Sequence, residues 1–149
     1  MRVAPLAVLL LAVAASPARA GDRRAEREVA RAAADLADTG RGDPARRVAA
    51  VDTLAGVARE GTVERATVVA ALVPGLADPV PDLRARVAGA LANGFPRDPV
   101  AFGAVRARFG VERDEPVMAA LVLAAGALAT PADLAAFDPF VASPSVRLR

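Results

Sequence analysis

From Arg23 onward, apolar residues recur every three or four positions, and helix breakers interrupt them at short intervals. That period is the mark of helices buried on one face. The first segment, 23–37, sets Ala25, Val29, Ala32 and Leu36 on a narrow stripe among charged residues. It predicts an amphipathic helix that covers one side of a core and ends at Gly40. Asp43-Pro44 opens a second helix, with Asp43 as N-cap and Pro44 where a missing N–H costs nothing. Val48, Val51, Leu54 and Ala58 share its face. Gly61-Thr62 predicts a turn, with Thr62 capping a helix that carries Val69, Leu72, Val73 and Leu76. Pro74-Gly75 should kink or stop that helix.

The pattern then repeats. Asp78-Pro79-Val80-Pro81 opens a helix with Leu83, Val87, Ala90 and Leu91, closed by Asn93-Gly94. Asp98-Pro99 opens another, with Phe102, Val105 and Phe109 on one face and Gly110 as the stop. Asp114-Glu115-Pro116 begins a third cycle, and residues 117–129 are apolar without interruption. Such a stretch is too short to span a bilayer, so it predicts a helix buried among neighbours on all sides. Thr130-Pro131 is a further cap-and-proline start, with Asp133 favouring the first turn. That helix would carry Leu134, Phe137 and Val141, with Pro139 kinking or ending it. Ser143-Pro144-Ser145 starts one more.

The cycles align with one another. Segments 43–54, 82–91, 115–121 and 143–149 share an apolar-Arg-x-x-apolar theme, with Arg47, Arg84, Met118 and Arg147 at equivalent positions. The steps between them are 37, 34 and 29 residues, each holding two helices and two turns. The Asp43-Pro44 and Asp78-Pro79 openings, the Leu83-Arg84 and Val146-Arg147 pairs and the Ala90-Leu91-Ala92 ending resemble HEAT repeats of the shorter bacterial kind. The resemblance covers about residues 43–149; the third unit departs from it at Met118, where the family usually has Arg. It implies an all-α fold, a short α-solenoid of antiparallel helix pairs, that binds other macromolecules on its concave face and performs no catalysis through its repeats. The physics agrees: a helix pair cannot bury its apolar face alone, so pairs stack on their neighbours. The expected units are 43–77, 78–110, 114–142 and a partial 143–149, preceded by a covering helix within 21–41. Val146 and Leu148 begin a helix that no capping repeat follows. An open end of this kind exposes apolar surface. It implies either a shortened array or an end that docks on a second copy or another protein.

Composition narrows the chemistry. The chain has 149 residues, enough for one small domain, with 54% apolar residues, 3% aromatic and 39 alanines. That alanine load favours helix over strand. Cys, His, Trp and Tyr are absent. Disulfides, thiolate or imidazole metal sites, a Cys nucleophile and a Ser-His-Asp triad within this chain are therefore excluded.

Residues 1–20, MRVAPLAVLLLAVAASPARA, read as a secretory signal: Arg2, an apolar run over 7–15, and Ala18-Arg19-Ala20 as a small-x-small cleavage site. Its apolar core is far short of a membrane span. Cleavage after Ala20 would leave the mature chain free of the membrane, in the periplasm or outside the cell. It would also remove Arg2 and Arg19, leaving 17 arginines against 17 acids. With charges interspersed and no basic stripe carrying aromatics, nucleic acid is not an expected partner.

Four aspartates, Asp43, Asp78, Asp98 and Asp114, open helices and read as caps rather than as metal ligands or acid–base groups. Asp43 with Arg47 and Arg31 with Asp35 have the spacing of surface ion pairs. Arg41-Gly42-Asp43 spells an adhesion-type tripeptide that chance composition explains. Arg65, Arg106 and Arg108 fall on second helices and could form a basic inner surface for an acidic partner. No cofactor site is expected. The sequence thus predicts an exported, non-enzymatic scaffold for protein–protein interaction. A structural fragment of a longer array is the alternative, and an accessory subunit of an enzyme complex, similar to HEAT-like bilin lyases, a weaker one.

Overall fold

The computed structural model describes residues 20–40 and 43–145. The expected signal up to Arg19, Arg41-Gly42, and the Val146-Leu148 start lie outside the described residues, while the expected cleavage point after Ala20 falls at the start of the first helix. Among those described, every regular element is helical. Their order is α1 (Ala20–Ala37), α2 (Pro44–Glu60), α3 (Arg65–Leu72), a 3-10 turn (Val73–Ala77), α4 (Pro81–Gly94), α5 (Pro99–Arg108), α6 (Glu115–Leu128), a second 3-10 segment (Pro131–Phe137) and α7 (Asp138–Val141). None is long and apolar enough to cross a membrane.

The aspartate-proline starts work as their chemistry requires. The Asp43 carboxylate accepts the Ala45 N–H at 2.9 Å. Asp98 accepts those of Val100 and Ala101, each at 3.0 Å. Asp114 accepts that of Val117 at 3.0 Å. Each satisfies donors that the first helical turn leaves open. Gly61 ends α2 at φ 65°, a left-handed conformation that costs glycine little, and donates its N–H to the Val57 carbonyl.

Several expectations are corrected. Thr62 does not cap α3: the helix begins after Glu64, with no side-chain cap. Asn93-Gly94 does close α4, whose last residue is Gly94, and the left-handed turn follows at Arg97, with φ 60°. Thr130 and Asp133 do form a reciprocal capping box, but the segment they open winds as a 3-10 helix. Pro139 opens α7 instead of ending a longer helix, since a first helical turn does not use its absent N–H. The apolar run in α6 is not buried all round: Leu123 is 77% exposed, while Val117, Leu121, Ala124, Ala125 and Leu128 are buried. Neighbours cover only one side of it.

Packing runs in succession. α1 lies on α2, α2 on α4, and α4 on α6, with α3 against α1 and α2 and α5 against α6. One continuous core joins Leu36, Leu54, Leu72, Leu91, Phe95, Val105 and Leu121. Gly75 sits where α1 and α4 close over the first 3-10 turn: a Cβ there would lie 2.8 Å from a Val87 methyl and 3.1 Å from Leu36. Glycine is therefore required at this crossing by space.

Candidate functional site

Two arginines from the repeated theme are drawn inward, Arg47 buried and Arg84 partly buried. Arg47 of α2 is 2% exposed. It donates through Nε to Asp78 Oδ2 at 2.7 Å and through Nη2 to Oδ1 at 3.3 Å. Its Nη1 also reaches back to the Asp38 carbonyl at 3.4 Å. The expected surface pair of Arg47 with Asp43 is thus replaced by a buried bridge to the turn before α4. Arg31 and Asp35 differ in the same way, for Asp35 takes its ion pair from Arg46 at 3.0 Å.

Arg84 of α4, at the position the sequence aligns with Arg47, makes a similar bridge toward the start of α6. Its Nε and Nη2 donate to the two Glu112 oxygens at 2.7 and 2.8 Å, and its Nη1 donates to the Asp78 carbonyl at 2.9 Å. Each acid also holds its own turn. Asp78 accepts the Val80 N–H at 2.8 Å, and Glu112 accepts the N–H groups of Arg113 and Asp114 at 2.9 and 3.0 Å. The Arg84 bond, then the two amides, hold the Glu112 carboxyl down at about 2 against burial. The Arg84 guanidinium is pushed above its ordinary range, chiefly by the same bond. Asp78 is therefore not the cap expected of it, since Val80 is the N-cap of α4 and has no side-chain cap; Asp78 instead fastens α2 to the turn before α4, as Glu112 fastens α4 to the turn before α6. At this register α6 carries Met118, which can form no such bridge.

The three arginines expected to form a basic surface take separate places. Arg65, at the start of α3, sits over the Phe95 ring at 5.3 Å from its centroid. Arg108 turns toward Glu112, with Nη2 at 3.8 Å from Oε2, and its Nε is buried without a hydrogen-bond partner. Arg106 alone of the three lines a cleft of about 370 Å³ beside Arg97.

Large apolar residues of α6 and of the segments after it stand open. Leu123, Leu134 and Val141 are 77%, 65% and 72% exposed. A hollow of about 410 Å³ lies among Gly126, Ala129, Pro131, Leu134 and Phe137. Counting by the sequence steps of 37 and 34, Asp52 on α2 corresponds to Gly89 on α4 and Leu123 on α6. Asp52 is where α2 grips the following helix, taking bonds of 2.7 to 2.9 Å from Arg86 of α4. Leu123 holds the same register, and both positions are exposed.

Among the described residues, no group of three or more acids is placed to hold a metal ion. No family model matches this chain, nor is a curated protein or a solved structure significantly similar to it.

Proposed function

We propose that the chain is an exported, non-enzymatic scaffold of HEAT-like helix pairs, stacked as a short α-solenoid, that binds another protein through its open apolar end. The observation that carries this reading is Leu123. It stands 77% exposed on a helix whose other side is buried against α4 and α5, and Leu134 and Val141 beyond it are 65% and 72% exposed. Exposed apolar surface on a helix of this kind is what a protein partner covers. α6 carries no charge beyond Glu115, so its open face suits an apolar partner surface. The matching bridges of Arg47 to Asp78 and Arg84 to Glu112 support stacked, equivalent units.

Photo-crosslinking in the native host tests the reading. A benzoylphenylalanine at position 123 should give one discrete adduct with a different protein, and the same probe at exposed Arg24 on α1 should not. Equal labelling from both positions, or no adduct, contradicts it. An adduct at twice the chain's own mass would replace the foreign partner by a second copy.

A further inference from the structure

The cleft beside Arg106 has a composition the scaffold reading does not use. Arg97 and Arg106 line it together, and neither forms an ion pair within 4.0 Å among the described residues. Phe102, Gly103 and Leu128 supply an apolar floor. A Cβ at Gly103 would meet nothing within 4 Å, so the helix there opens onto free space. The remaining charge is Asp133, whose Oδ2 is engaged by the Thr130 N–H at 2.9 Å and its hydroxyl at 2.7 Å. Two guanidinium groups against one committed carboxylate leave a single unopposed positive charge. Arg97 also holds a left-handed φ of 60°, a conformation usually left to Gly, Asn or Asp. Ease of turning therefore does not explain an arginine at that position.

The geometry points to a binding site for a singly charged carboxylate on a short apolar stem. The carboxylate would accept hydrogen bonds from Arg97 and Arg106, and the stem would lie on Phe102 and Leu128 over Gly103. One unopposed charge matches a monoanion better than a phosphate dianion. The volume of about 370 Å³ is in the range of small-ligand clefts and far too small for a folded partner. Such a group is either a free branched-chain acid or the end of a peptide with an apolar last residue.

Amide NMR titration of the purified full-length chain tests the site, with isocaproate, isocaproamide, and acetyl-Ala-Leu with a free or amidated terminus as probes. Both free acids should shift the Gly103 and Thr130 amides saturably. The amides should bind about tenfold more weakly or worse, as for loss of charge-assisted bonds. Arg106→Gln should weaken binding by a similar factor, and Gly103→Leu should abolish it by filling the floor. Tighter binding of the dipeptide than of isocaproate assigns a peptide terminus; equal or weaker binding assigns a free acid. Equal affinity for acid and amide, no saturable shift with either acid, or unchanged affinity in Arg106→Gln overturns the proposal. Circular dichroism confirms the fold of each variant; Arg106→Gln, at an exposed position, decides the matter should Gly103→Leu unfold.

Discussion

Glu112 shows how much one buried side chain can hold. It is 5% exposed, and its carboxylate ties together Arg84, two amides of its own turn and, more distantly, Arg108. Its pKa falls from an ordinary 4.5 to about 2. A carboxyl with a folded pKa below its unfolded one stabilises the fold fully above the unfolded value and loses that contribution as pH falls through the folded one. Stability should therefore decline as pH drops from 4.5 towards about 2, and Glu112→Gln should flatten that decline. Urea denaturation across this range checks it; an unchanged slope in the variant would show that Glu112 does not titrate with folding. Nothing local in the sequence marks Glu112, because its partner lies 28 residues away. The available signal was the Arg47–Arg84 equivalence: each arginine is followed by an acid just before the next aspartate- or proline-led helix.

At the scale of elements, legibility followed the range of the interaction. The starts of α2, α5 and α6 were readable because an aspartate cap beside a proline acts within three residues. Thr62 misled because a good cap residue does not start a helix unless the backbone turns there, and α3 begins only after Glu64. Arg106 and Arg108 were grouped as one surface, yet residues two apart on a helix point to different sides. The structure separates them accordingly, one to a cleft and one to Glu112.

The same scale separates two arginine–carboxylate bridges of similar geometry. Arg47 and Asp78 side chains are 3% and 0% exposed, whereas Arg86 and Asp52 are 50% and 54% exposed. Removing one partner of a buried pair leaves an uncompensated charge and costs about 3–5 kcal/mol. An exposed pair contributes about 0–1 kcal/mol. Arg47→Met should accordingly lower the unfolding free energy by the larger amount and Arg86→Met by the smaller, both read from urea midpoints. Equal losses would mean that the bridge to Asp78 does not fasten α2 to α4.

For the whole molecule, the period in the sequence becomes a succession of contacts, α1 on α2, α2 on α4 and α4 on α6. The sequence could not show which faces stay open, because exposure depends on how many neighbours a helix finally has. The unbroken apolar run of α6 therefore suggests burial all round, whereas Leu123 is 77% exposed, the most among the large apolar residues described. The central claim is that these helices form a line of units, each held by its neighbours and by arginine–acid bridges at the α2–α4 and α4–α6 steps. In such a line, damage at one step loosens what lies beyond it more than what lies before. Native-state hydrogen exchange on the Arg84→Met variant measures this most directly. The account predicts faster exchange in α6 and the turn around Glu112, with α1, α2 and α3 still protected. Loss of protection by the same factor throughout α1 to α6 would contradict it.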